Sequence, residues 1–309
     1  MSPFSGAQPD LKVCLAQIKT VFTEPVTIID YDDRGEDFFI IEVNHEWIFR
    51  FPRREYSRQA LEVEENFLPA FQPATTIALP QYCIASQNMG GYRKLPGVFL
   101  TSDKIKNLTA ATQHTLARQL GQFLTTLHSY PLGKARSLGV TTKWADWRET
   151  ISPEIFGQIM NDLSKPVRGW ASRILESYFN KQYQLSVIHG DLSLPDHILL
   201  DDKLNQISGI IDFGDLTIDD PVRDFLSIYE DGGNAFFAQV SENYHATTLE
   251  GLHDRIMIEL YARPIFHAAY CIETENFRKY KETLQTVCRN FRVVERGLPS
   301  YYQQHDQTV

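Results

Sequence analysis

The sequence is poor in cysteine: Cys14, Cys83, Cys271 and Cys288 lie far apart and form no CxxC pair. Neither a zinc cluster nor a disulfide framework is therefore expected, and the four read as buried thiols in a reducing compartment. Basic charge is also short, with 30 Lys and Arg against 39 Asp and Glu and a net charge of -9. That sign is wrong for a chain that neutralises phosphate backbones or coats anionic lipid, so neither nucleic acid nor a membrane is expected as a partner. No apolar stretch approaches the roughly 18 residues needed to cross a bilayer. The start, Met1 to Asp10, has neither the basic residues nor the apolar run of an export signal, and a cytoplasmic location is expected. There is no GxxxxGK[ST], which sets aside a Walker-type NTPase. Internal repeats and low-complexity tracts are missing as well.

What is present is enough apolar material for a sizeable core: 309 residues, 43% hydrophobic and 12% aromatic, or about two domains by length. Charge is unevenly placed. Between residues 212 and 260 eleven acids face only Arg223 and Arg255, so this stretch carries the whole net charge of -9. A solvated helical face is the ordinary meaning of such a run, and a site for a cationic ligand or metal is the alternative.

Leu11, Cys14, Leu15, Ile18, Val21 and Phe22 recur at helical spacing and Pro25 ends the pattern. Three strand-like runs follow, Val26 to Asp30, Phe38 to Val43 and Trp47 to Phe51, separated by Asp32-Asp33-Arg34-Gly35 and Asn44-His45, which predicts an antiparallel meander. Arg54 to Leu68 reads as a helix stopped by Pro69, and Tyr82 to Ala85 and Gly91 to Leu95 as two more strands. Beyond Pro96-Gly97 the character becomes helical, with Leu116, Leu120, Phe123, Leu124 and Leu127 on one face and Trp170, Ile174, Leu175 and Tyr178 on another. Phe123, Trp170, Tyr178 and Phe179 are expected in the core. One β-rich island, Val187 to Asp212, interrupts the helices, and everything after Pro221 reads as helix.

The island carries His189-Gly190-Asp191, Asp196-His197 and Ile211-Asp212-Phe213-Gly214-Asp215, each polar cluster abutting an apolar strand. Short loops at strand ends hold side chains rigidly while letting them face a cleft. Clustered carboxylates bind a hard cation, and magnesium takes one or two of them together with substrate phosphates. A further carboxylate can then accept the proton of a hydroxyl nucleophile, which is most of what phosphoryl transfer asks of a protein.

These three clusters resemble the catalytic and metal-binding loops of the aminoglycoside phosphotransferase family, and the 2''-phosphotransferases are nearest in pattern. Further matches are Trp47 to Pro52, Gly91 to Gly97, Leu120 to Leu124 with Leu127-His128, Asp220-Pro221 to Asp224-Phe225, and Tyr229-Glu230-Asp231, together spanning roughly residues 20 to 235. The resemblance implies an α+β, bilobal, protein-kinase-like fold. Residues 1–95 would form an N-terminal lobe with a five-stranded antiparallel sheet, and 96–309 a mainly helical C-terminal lobe. It implies Asp191 as the catalytic base, Asp212 as the metal aspartate and His189 as a brace for the loop. For the second metal ligand both Asp196 and His197 stand near the required place, and the Pro195-Asp196-His197-Ile198 pattern favours His197. Arg50 stands where the phosphate-binding lysine is usual, with Glu64 as its helix partner. Tyr92, Lys94 and Leu95 match the segment that faces the purine. Glu230 and Asp231 match the acceptor-binding acids, and Glu259 and Tyr261 are weaker candidates for the same role.

Only seven residues separate Asp212 from Asp220-Pro221, too few for the activation segment with which protein kinases dock a peptide. A small soluble acceptor is expected instead, and a cationic one suits an acidic lobe. The implied activity is magnesium-dependent transfer from ATP or GTP to a hydroxyl, the 2''-OH of an aminoglycoside, by a monomer that would confer antibiotic resistance. The alternatives are another small acceptor, such as a macrolide, an amino alcohol or a metabolite, or a nucleotide-binding protein of the same fold that has lost turnover.

Overall fold

The computed structural model describes residues 10–33, 35, 37–86, 88–247 and 251–296. Arg34 of the expected first turn, Glu250 of the acidic stretch and the expected leaderless start, Met1 to Pro9, lie outside the described residues. Asp10 opens the first helix by accepting the N–H groups of Lys12 and Val13 on its carboxylate. α1 (Leu11–Val21) turns Cys14 and Ile18 onto a sheet formed by β1 (Ile29–Asp32), β2 (Phe38–Val43) and β3 (Trp47–Pro52), with β4 (Tyr82–Ser86) and β5 (Met89–Arg93) reached through α2 (Glu55–Phe71). The five strands are antiparallel, in the order β1-β2-β3-β5-β4. Alternation along β3 buries Phe49 and Phe51 beneath α1 and turns Arg50 to the opposite face, toward α2.

The rest of the described chain is mainly helical. β6 (Val98–Phe99) leads through α3 (Ser102–Asn107), α4 (Ala110–His128), α5 (Leu132–Ser137), α6 (Lys143–Thr150), α7 (Pro153–Asn161) and α8 (Lys165–Asn180) to β7 (Ser186–Ile188). Then come α9 (Leu194–His197), β8 (Ile198–Leu200), β9 (Ile207–Ile210), β10 (Thr217–Asp219), α10 (Leu226–Glu242), α11 (Leu252–Glu273) and α12 (Phe277–Glu295). Two small sheets, β6-β8-β9 and β10-β7, hold the loops between them. The larger apolar cluster joins Phe67 and Phe71 of α2 to Leu120, Phe123, Phe213 and Phe225, and a second one packs α7, α8, α11 and α12 around Trp170, Tyr178 and Phe266. No helix among the described residues is long and apolar enough to cross a membrane.

Several expectations need correction. The first strand begins at Ile29, not Val26, because the N–H groups of Thr27 and Ile28 donate to the Asn44 side chain (2.9 and 3.1 Å). β5 runs from Met89 to Arg93, and β6 and β10 were not anticipated, being only two and three residues long. Pro69 does not stop α2, which continues to Phe71: the proline forfeits one N–H bond in the last turn, while Phe67, Leu68 and Phe71 are fully buried there. Phe179, expected in the core, is 48% exposed. Cys14 and Cys271 are buried, but Cys83 is exposed and Cys288 half-buried. The break at Pro96-Gly97 has a steric basis, since Gly97 adopts φ +137° and a Cβ there would lie 2.4 Å from the Leu200 carbonyl oxygen.

Candidate active site

β7 ends at Ile188, and His189-Gly190-Asp191 leaves the sheet in a turn that only glycine fits: Gly190 has φ +92°, and an added Cβ would come within 2.2 Å of the Asp215 carbonyl oxygen. The turn is gripped from beneath by Asp224, which is fully buried. Its carboxylate accepts the N–H of His189 (2.7 Å) and of Gly190 (2.9 Å), and His128 Nε2 lies 3.0 Å from the same group. Burial alone would raise the pKa of Asp224, but the bond from His128, the charges of His128 and His189 and the Gly190 N–H hold it below the usual carboxylate range. The buried His189 donates from Nε2 to the Ile211 carbonyl (3.1 Å) and stacks on His197, tying the two loops together. Asp191 is left at the tip, open to a cavity. Desolvation within the cleft, then the charge of Asp215, pushes its pKa up to about 6, against the opposing pull of His197.

Asp212 sits at φ +64°, a conformation that aspartate tolerates better than most residues. Its Oδ1 accepts from Arg50 Nη2 (2.8 Å), while Arg50 Nη1 reaches both oxygens of Glu64 (2.7 Å each) and the Tyr82 hydroxyl (2.9 Å). The Arg50 side chain is almost wholly enclosed, with its guanidinium 3.9 Å above the Phe38 ring. The planar fork therefore bridges helix and loop in a way that a single ammonium could not. Burial would raise the Asp212 pKa, but Arg50, with smaller contributions from His197 and His189, keeps it low. Glu64 has its pKa raised by burial, which outweighs Arg50.

The expected residues thus fall into groups. Arg50, Glu64 and Asp212 are in direct contact, and His197 Nε2 lies 3.7 Å from Asp212 Oδ2. His197 Nδ1 accepts the Ser193 N–H (3.2 Å), so in the neutral ring the proton sits on Nε2, facing Asp212. Asp196 is exposed and accepts from the Ser193 hydroxyl (2.6 Å). Tyr92 is buried edge-on against Tyr82, Leu95 is half-buried, and Lys94 holds Glu42 at 2.7 Å on the exposed edge. Glu230 and Asp231 line a cavity of about 300 Å3 that also exposes Asp191 and His197. Glu259, 1% exposed, is paired with Lys181 and Arg223, and Tyr261 packs against Trp170. Among the described residues no three His, Cys, Asp or Glu side chains gather into a metal centre of protein ligands alone. The carboxylate of Asp212, 45% exposed, is of the type that magnesium takes when phosphates and water complete its shell.

A larger cavity of about 420 Å3 opens on the other side of Asp191. Tyr56, Trp144, Trp147 and Tyr270 meet edge to edge in that order along its lining, and Phe266, Asp37 and Asp215 also face the cavity. Their order is fixed by hydrogen bonds: Trp144 Nε1 donates to Asp215 (2.8 Å), Trp147 Nε1 to Glu273 (2.9 Å), and Arg54 to the Tyr270 hydroxyl (2.7 Å). Sequence reasoning missed this wall. Its one signal was Trp144 and Trp147, three apart on a short helix, which place both indoles on one face. Asp224 and His128 stood inside quoted motifs without a role.

The acid of residues 212–260 is not mainly a solvated face. Asp219, Asp220, Asp224 and Glu259 are all buried and matched to Arg148, Lys181, Arg223, Arg255 and His128. Arg148 and Lys181 come from α6 and from just past α8, outside the stretch.

The model of the phosphotransferase enzyme family matches residues 30–259, more than half of the chain. Among solved structures, the GDP and kanamycin complex of APH(2'')-IIIa superposes with a TM-score of 0.80 at 26% identity, covering 91% of this chain and 98% of that one. The macrolide 2'-phosphotransferase MphH of Brachybacterium faecium superposes with a TM-score of 0.69 at 19% identity, over 90% and 97% of the two chains. Among curated proteins, the uncharacterized protein YcbJ of Bacillus subtilis (strain 168) is 23% identical over 69% of this chain and 73% of its own length. The two superposed structures share the bilobal, kinase-like α+β architecture of this chain.

Proposed function

The chain belongs to the phosphotransferase enzyme family, and from that premise we propose that it moves the terminal phosphoryl group of ATP or GTP onto a hydroxyl of a small amine-bearing acceptor, first of all the 2''-OH of an aminoglycoside. The observation that carries this reading is the placement of Asp191: a carboxylate held by the Asp224 cradle at the mouth of two cavities, with Asp212 and Arg50 nearby.

In the proposed reaction the acceptor hydroxyl lies against Asp191, which orients it and takes its proton. The acceptor oxygen bonds to the terminal phosphorus as the bond to the bridging oxygen breaks, and the nucleoside diphosphate leaves. Arg50 fixes the Asp212 carboxylate and supplies positive charge on the donor side, while Tyr92, Lys94 and Leu95 would face the purine. Residues 1–95 would carry the donor and residues 96–309 the acceptor. Magnesium, when bound, supplies charge neutralisation on the phosphates, and Asp212 would hold it. His197 would join it through Nε2 only as the other tautomer, with the proton moved to Nδ1 and the Ser193 N–H bond given up. Glu230 and Asp231 are the proposed contacts for acceptor ammonium groups, with Glu259, on the lining of the larger cavity, a weaker third. Because the donor is an intracellular nucleotide, the proposal sets the enzyme in the cytoplasm, acting as a monomer and conferring antibiotic resistance.

A second reading is favoured by the wall of rings beside Asp191. Tyr56, Trp144, Trp147, Phe266 and Tyr270 would suit an acceptor with one amine and a broad apolar face, such as a macrolide. The test is acceptor-stimulated release of nucleoside diphosphate from ATP and from GTP with magnesium, run against kanamycin, gentamicin, streptomycin and a macrolide, with the product identified by mass. A phosphorylated aminoglycoside supports the first reading and a phosphorylated macrolide the second. No phosphorylated product from any of them would sink both.

A further inference from the structure

The two cavities that flank Asp191 share Gly190, Asp191, Arg223 and Arg263 on their walls. Acids in and around these cavities already hold a cation of the protein itself: Asp219 holds Arg148, Glu259 holds Lys181 and Arg223, and Glu230 holds Arg263. These pairs are not equally breakable. In the first two the carboxylates are at most 2% exposed and Arg148 and Lys181 at most 5%, so removing a partner would strand a buried charge. Arg263 is different, because 49% of its side chain is in water while Glu230 is 9% exposed, so the guanidinium has a way out to solvent and the carboxylate stays enclosed. It also touches Glu230 in an ammonium-like way: the single nitrogen Nη2 reaches both carboxylate oxygens, at 3.0 and 3.1 Å.

Resting on the reading of this site as an acceptor site, we propose that Arg263 is a displaceable counter-ion, occupying on Glu230 the place of the acceptor's protonated amine and thereby setting the affinity for amine-bearing acceptors. An arriving ammonium takes both Glu230 oxygens, and the guanidinium swings out on its flexible stem. The exchange keeps Glu230 paired in both states, so the carboxylate is never buried alone in the empty site. Its cost is that every acceptor must compete with an internal ligand.

The test is a titration of the full chain with kanamycin, followed by the fluorescence of Trp144 and Trp147, which line the larger cavity. Wild type, Arg263→Gln, Glu230→Gln and the double variant are compared. Arg263→Gln should bind tighter by at least the roughly 2–5-fold that an exposed ion pair is worth, since Glu230 is only 9% exposed, while Glu230→Gln binds more weakly and the double variant shows no gain over Glu230→Gln. Equal or weaker binding by Arg263→Gln, or a gain that survives without Glu230, overturns displacement. Turnover of ATP and of GTP with kanamycin, measured alongside, separates the two ideas. This binding pattern without turnover would refute the aminoglycoside-kinase reading and leave displacement standing. Turnover with no tighter binding by Arg263→Gln would do the reverse, and no binding by any of the four proteins would refute both displacement and the aminoglycoside reading.

Discussion

Replacing Asp224 by asparagine changes almost no volume and should nevertheless damage both stability and activity. The carboxylate serves three donors: Oδ1 takes the Gly190 N–H, and Oδ2 takes the His189 N–H while facing His128 Nε2. An asparagine keeps only one acceptor oxygen. If its amide nitrogen occupies the Oδ1 place, the Gly190 N–H meets another donor; if it occupies the Oδ2 place, the His189 N–H does. His128 can adapt by changing tautomer, because its Nδ1 contacts the Tyr244 hydroxyl, which both donates and accepts. One buried backbone N–H is therefore orphaned in either orientation, at about 1–3 kcal/mol, and the charge-assisted character of the remaining bonds is lost as well. We expect a total loss of about 2–4 kcal/mol, read as a lower urea midpoint by tryptophan fluorescence. The turn that carries Asp191 would relax with it, and a displacement on the order of 1 Å there should lower kcat/KM by roughly 10²-fold. A variant with the wild-type midpoint and wild-type turnover would show that the cradle does not position the loop, and the role given to Asp224 would have to be withdrawn.

Three further outcomes are expected. Asp191→Asn should lower phosphoryl transfer by about 10² to 10⁴ while nucleotide still binds, and robust transfer by that variant would remove Asp191 from its role. The acidic limb of kcat/KM should bend near pH 6 rather than near the ordinary aspartate value: the Asp191 pKa is raised to about 6, and the base works only when ionised, so activity is present above that pH and lost as pH falls through it. A profile flat down to pH 5 would count against this. Arg50→Lys should cost about 1–3 kcal/mol of stability and weaken nucleotide binding, because one ammonium cannot hold Glu64 and Asp212 together; unchanged melting and nucleotide affinity would argue that the bridge is incidental.

How far the site was legible depended on whether its signals were local. Alternation of apolar residues placed β2 and β3 correctly, and the loops at the ends of β7 and β9 could be read because each motif lies on a few consecutive residues. The kinase-like pairing of Arg50 with Glu64, fourteen residues apart, came from resemblance and not from spacing. Strands of two or three residues carry too little periodicity to be seen, which is why β6 and β10 went unread. Pro69 misled because a breaker rule ignores how strongly Phe67 and Phe71 are buried on either side of it.

The acidic stretch shows the deeper limit. Counting charge along the chain treats each acid as solvated, yet Asp219 finds Arg148 71 residues away and Glu259 finds Lys181 78 away. Such pairs exist only because α6, α8 and α11 pack around one site, and no local window contains both partners. Once paired and enclosed, those acids cancel in the field that an approaching ligand feels, so they cannot steer a polycation over the distances at which exposed charges act. They fix the helices instead, since removing one partner would strand the other in a dry interior. In the proposed reading, recognition of an amine then falls to the acids that line the two cavities, Glu230 and Asp231 on one side of Asp191, and to the rings and the carboxylates of Asp37 and Asp215 on the other. On that proposal the site would select by contact at close range and by competition with Arg263, not by the net charge that the sequence advertises.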